Sequence, residues 1–180
     1  MMEFISAQWF LWRSRFLKPT EVMDFPQRLS EIKRVLVYFP MAIDKSRAET
    51  IFGQIQKTLS GCTLDFLLHP ETPQEVSAFL TERQATVTIL AKTDFGLLRT
   101  LNGEAVDRIR AKEYDMILDF TFTADWAMAW ALRACGVSVL AGAFTEPRSE
   151  RFHNLLIKAH DAPTFDATLF GCLAQMKTVI

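Results

Sequence analysis

An α/β sandwich built on a parallel sheet is the fold class this sequence predicts, and three observations predict it. Short apolar runs alternate with amphipathic helical stretches about five times along the 180 residues. The runs are continuously apolar rather than alternating, which suits strands covered on both faces. No internal repeat and no linker rich in Gly or Ser divides the series, so one layered unit is expected. Right-handed crossovers leave few topologies, and strand order 3-2-1-4-5 with helices on both faces, a three-layer Rossmann-like sandwich, is the one expected. Residues 1–20 form an added N-terminal amphipathic helix in this reading, and 21–180 a single domain.

The elements follow in chain order. Positions 5, 9, 12 and 16 place Ile5, Trp9, Trp12 and Phe16 on one stripe of a helix over 4–17, widened by Phe4, Phe10 and Leu11 and ended by Pro19. That stripe either docks on its own domain or a second copy, or lies on a membrane surface with Arg13, Arg15 and Lys18 at the headgroups. A polar connector with Pro26 comes next. Val35–Phe39 reads as the first strand, bounded by Arg34 and Pro40. Asp44 or Ser46 caps a helix to about Leu59, with Ile51, Phe52, Ile55 and Leu59 on one side and Gly61 as its stop. Leu64–Leu68 is the second strand, and Thr72-Pro73 opens a short helix over Val76, Phe79 and Leu80. Val87–Leu90 is the third strand; a helical stretch interrupted at Asn102-Gly103 runs to Lys112. Tyr114–Phe122 is the fourth strand, 124–135 a short apolar helix with Trp126 and Trp130 one turn apart, and Val137–Ala141 the fifth strand. A basic loop and a helix over roughly 164–178 close the series.

Composition excludes several function classes. Twenty basic against 21 acidic side chains give a net charge of −1, with no basic stripe, so nucleic acid is not an expected partner. Hydrophobic residues at 49%, with 15 Phe and 4 Trp, supply a core without staples. Three widely spaced cysteines, Cys62, Cys135 and Cys172, without a CxxC pair, suit buried thiols in a reducing compartment. No apolar run reaches the roughly 18 residues of a spanning helix. The positive charges follow the N-terminal apolar stretch rather than precede it, so no export signal is read and a cytoplasmic location is expected.

In a sheet of that order the crevice lies beyond the carboxyl ends of strands 1 and 4, where the winding reverses. Pro40–Arg47, Asp119–Asp125 and Phe144–His153 are delivered there, so Asp44, Lys45, Asp119, Asp125, Arg148 and Arg151 are the candidate site residues. Asp44 reads more readily as a helix cap than as a catalytic base. Asp119, inside an apolar strand, needs partners, whether its role is structural or functional. His69, His153 and His160 are scattered, without metal-ligand spacing, and read as surface or hydrogen-bonded residues. Arg148, Arg151 and His153 suit a phosphate, but Glu146 and Glu150 interleave, as on a solvated loop. The turn after strand 1, FPMAIDKSRAE, has no glycine, and no GxGxxG, P-loop or GxSxG is present, so no dinucleotide or other cofactor is expected.

Short passages resemble a known family. Lys33–Val37 is similar to the opening strand of the lipopolysaccharide heptosyltransferases, the ADP-heptose family of two-domain glycosyltransferases. Ala42-Ile43-Asp44 stands where that family carries Ile-Gly-Asp, and Tyr114–Asp119 (YDMILD) resembles its YDxxID strand. Val137–Phe144 followed by Arg151–Leu156 resembles a further passage, and together these span roughly 33–180. The resemblance implies that Asp44 corresponds to a catalytic base, although the glycine before it is absent, and that Phe120-Thr121-Phe122 replaces Leu-Gln-Gly. It also implies a counterpart of the acceptor-side half without the domain that holds the nucleotide-sugar donor. The resulting expectation is a stand-alone, non-catalytic domain acting through a protein partner or as a homo-oligomer. The alternative is a small-ligand binder, for a sugar or nucleotide, or a glycosyltransferase-like enzyme completed by another chain.

Overall fold

The computed structural model describes Trp9, Trp12 and residues 24–96, 100–123, 125–145 and 147–178. The expected helix over 4–17 lies outside the described residues apart from Trp9 and Trp12, which are helical and exposed. The first described helix, α1 (Phe25–Ser30), replaces the expected connector. Asp24 accepts the Gln27 N–H as its cap and Pro26 occupies the first turn, where a missing N–H costs nothing.

The alternation predicted from the apolar runs is present. β1 (Arg34–Phe39), α2 (Lys45–Thr58), β2 (Thr63–Leu68), α3 (Gln74–Glu82) and β3 (Thr86–Ile89) come first. They are followed by α4 (Gly103–Arg110), β4 (Met116–Asp119), α5 (Trp126–Ala134), β5 (Val139–Ala143), β6 (Leu155–Ile157) and α6 (Ala162–Thr178). All pairings are parallel, in the order β3-β2-β1-β4-β5-β6. The expected 3-2-1-4-5 sheet is thus observed, with a sixth strand in the stretch read as a loop. Asp44 and Asn102 cap α2 and α4 through hydrogen bonds to the N–H groups three residues on. Gly136, at φ 76°, takes the left-handed turn after α5 that side chains disfavour.

Side-chain parity divides the core into two layers. Val35, Val37, Phe39, Phe66, Leu68, Leu118 and Ala141 face α1, α2, α3 and α6. There Phe39, Phe66, Phe52 and Phe79 form a chain of ring contacts at 5.6–5.7 Å, and Phe120 lies 5.8 Å from Phe39 and 6.0 Å from Phe165. Leu36, Tyr38, Leu67, Ile117 and Leu140 face α4 and α5. Trp126 and Trp130 belong to a third cluster on α5, where Trp126 stacks on Phe152 at 5.3 Å.

One buried ion pair ties the first layer together. Arg47 on α2 donates through Nε and an Nη to both carboxylate oxygens of Asp166 on α6, at 2.8 and 2.9 Å. The same Nη also reaches the Phe120 carbonyl at 3.3 Å, at the end of β4. No described helix is long and apolar enough to cross a membrane. The three cysteines are free thiols, and burial pushes the Cys135 thiol up to about 11.

Candidate functional site

The crevice expected from the strand order lies where β1 and β4 are neighbours and the chain winds away to opposite faces. Tyr38 and Asp119 are register partners on those strands, so both side chains stand on the α4/α5 face near its carboxyl end. On β5 the next position along this row is Gly142, one step beyond the Leu118↔Ala141 pair. It carries no side chain, and the ring of His153 occupies that place: a Cβ there would lie 2.4 Å from Cδ2 and 2.5 Å from Nε2 of His153.

The close approach lets His153 pair with Asp119. Nε2 lies 3.0 Å from Oδ2, with the two side chains 7% and 4% exposed. The other carboxylate oxygen of Asp119 accepts the Thr121 N–H at 2.9 Å. Asp119 therefore has the partners that a carboxylate inside an apolar strand requires. Two atoms beside it do not. Nδ1 of His153 and Oγ1 of Thr121 are buried without a hydrogen-bond partner, and buried polar atoms of that kind normally meet water or a ligand.

The mouth of the crevice carries the second carboxylate. Asp125 caps α5, accepting the Met128 N–H at 3.0 Å. Its side chain touches solvent, yet protein atoms crowd it. That crowding, with the charge of Asp119, outweighs the Met128 N–H and His69 and moves its carboxyl above the ordinary range, an effect that solvent contact weakens. Tyr38 responds to the same surroundings. Burial first, then Asp125 and Asp119, hold its hydroxyl far above the usual phenol range, so it stays a neutral donor. His69, just beyond β2, accepts the Glu71 N–H on Nδ1 at 3.1 Å, which leaves its proton on Nε2, and its ring rests 5.3 Å from Phe95.

The two roles of Asp125 are separable by substitution. A folded-state carboxyl held above its unfolded value favours folding below the unfolded pKa and loses that contribution as pH rises through the folded value. Asp125→Asn keeps the cap without the charge, so it should equal or exceed the parent in stability at neutral pH. Asp125→Ala should lose about 1 kcal/mol with the cap. Urea denaturation at pH 5 and pH 7 checks both; a parent less stable at pH 5 than at pH 7 relative to Asp125→Asn contradicts the electrostatic part.

Of the sequence-predicted residues, Asp119 and Asp125 are brought together here. Asp44 is exposed and spends Oδ1 on the Arg47 N–H as the cap of α2. Lys45 is exposed and pairs with Glu49 at 3.8 Å. Arg151 is exposed at the end of the 3-10 turn Pro147–Arg151, and the side chain of Arg148 in that turn lies outside the described residues. His153 departs from the solvated loop assigned to it: the turn folds it inward, with its N–H on the Ser149 carbonyl. Tyr38 and Gly142 were not singled out; His69, read as a surface or hydrogen-bonded residue, and Thr121 were named without a site role. The polar Tyr38 within the apolar run VLVYF, in register with Asp119, was the available signal. No group of three or more His, Cys, Asp or Glu among the described residues is placed to hold a metal ion.

No protein-family model matches the chain, and no curated protein matches it. Among solved structures it is similar to the catalytic domain of Starch Synthase IV from Arabidopsis thaliana bound to ADP and acarbose, with TM-score 0.48 and 14% identity. The similarity covers 98% of this chain and 36% of that one, so the chain spans about a third of that structure's length. A likeness of that degree transfers no residue role.

Proposed function

We propose that this chain is a binding domain for a small neutral polyol, a sugar, seated at the crevice between the ends of β1 and β4. The observation that carries the reading is the cluster around Asp119: a carboxylate bonded to Nε2 of His153, the unpartnered Nδ1 of that same ring and Oγ1 of Thr121, with Asp125 nearby and exposed. Carboxylates accept hydrogen bonds from adjacent sugar hydroxyls, while an imidazole nitrogen and a threonine hydroxyl add a further acceptor and a two-way group. Two carboxylates disfavour a phosphate at the same spot. The YDMILD passage supports the sugar reading, because the family it resembles handles sugars on this half of its fold.

A thermal-denaturation panel of neutral monosaccharides, sugar phosphates and nucleotide sugars tests this. A neutral sugar at one hundred times its dissociation constant should stabilise the chain by about 2.7 kcal/mol. Asp119→Asn keeps the shape but weakens charged hydrogen bonds worth about 1.5–3 kcal/mol, so it should remove most of that shift. No shift from any neutral sugar, or one unchanged in Asp119→Asn, sinks the reading.

A further inference from the structure

Independently of any ligand, one edge of the sheet carries the features of a self-association surface. β3 ends the sheet, and no described strand lies beyond it. Its ladder parity is set by the Leu90 N–H, which bonds the Leu68 carbonyl on β2. Even-numbered residues thus direct their backbone groups to β2, and those of Val87 and Ile89 point outward. Natural edges are usually guarded by Lys, Pro or a bulge. Here Ala85–Ala91 contains no charge and no proline, and Ile89 is 56% exposed. The opposite edge, β6, is three residues long and followed directly by Lys158.

A groove of about 460 Å³ runs beside this strand, lined by Val87 and Ile89 and by Gln74, Ser77, Ala78, Thr81 and Glu82 of α3. The α3 side carries the small residues Ser77, Ala78 and Thr81 between exposed Gln74 and Glu82. Ser77 and Thr81 turn their hydroxyls back onto the Gln74 and Ser77 carbonyls, so covering them strands no polar group.

We infer that β3 and the outer flank of α3 form an isologous dimer interface, occupied by the same surface of a second copy. A twofold axis normal to the sheet at Thr88 makes two β3 strands antiparallel, pairing Val87 of each copy with Ile89 of the other. Thr88 then meets Thr88, a compatible cross-strand pair, and no like charges oppose along the strand. The same axis brings the two α3 helices together on one face, with small residues at their contact. It also sets the end of each copy that bears exposed Glu82 beside the end of the other that bears exposed Lys92, while the neighbouring Arg83 turns its guanidinium over the Phe79 ring of its own helix. That complementarity favours a second copy over an unrelated extended peptide.

Sedimentation velocity of the full chain over a concentration series tests the interface. A reversible dimer is expected. Ile89→Lys, at an exposed position, should leave the monomer's circular dichroism unchanged and weaken the dimer at least about tenfold. Glu82→Lys and Lys92→Glu should each weaken it, and the double exchange should restore it. A monomer throughout, a dimer indifferent to Ile89→Lys, or charge exchanges that do not compensate would overturn the assignment. So would an edge that pairs only with added extended peptide.

Discussion

Asp166→Ala is expected to lower the free energy of unfolding by about 3 kcal/mol, the largest loss foreseen for any polar substitution in this fold. The magnitude follows from burial. Arg47 and Asp166 have side chains only 16% and 9% exposed, so removing the carboxylate leaves a guanidinium without its counter-charge between α2 and α6. Its remaining bond, to the Phe120 carbonyl at 3.3 Å, is too long to compensate. Asp166→Asn preserves the shape and should lose less. Replacing both partners, as Arg47→Met with Asp166→Leu, should recover much of the loss, because apolar groups of similar volume avoid desolvating a charge. Urea titration of the four proteins measures this. A loss below about 1 kcal/mol for Asp166→Ala would place the pair among exposed ones instead.

Gly142→Ala tests the crevice directly. The added methyl would lie 2.4–2.5 Å from the imidazole of His153, a ring that cannot yield by a small rotation without leaving Asp119. The expected cost is about 1–3 kcal/mol of overpacking, together with loss of the sugar-dependent thermal shift. Gly142→Ala combined with His153→Ala removes the clash but also the partner of buried Asp119, so it should regain only part of the stability, and not the shift. The two readouts separate packing from recognition. If Gly142→Ala keeps both its stability and its ligand response, His153 does not occupy the position described.

β1, β2, β4 and β5 were legible because each is a largely buried apolar run, while β3 is a short β-branched run, mostly exposed at the sheet edge; order 3-2-1-4-5 followed from alternation and crossover handedness. β6 was not, because Leu155–Ile157 is three residues long and only Ile157 is fully buried. α1 was hidden by Pro26, read as a connector although Asp24 ahead of it supplies a cap. In the site, the two aspartates could be placed by topology alone. The His153–Asp119 pair could not: it joins residues 34 apart and exists because a neighbouring strand offers glycine at one position. Tyr38 was absorbed into the core pattern, which it also serves. Asp44 shows the converse. A cap signature and a family motif coincide on one residue, and the hydrogen bond to Arg47 accounts for the first.

The Arg47–Asp166 bridge also bears on the order in which the chain can be completed. Its partners are 119 residues apart, so at ordinary synthesis rates the arginine emerges roughly 6–24 s before the aspartate exists. During that interval the first two strands and their helix must keep this cation hydrated, and the layer that later encloses it stays open on the side of α6. The final helix is therefore less an appendage than a keystone: its arrival neutralises a charge made near the beginning and lets that face of the sheet close.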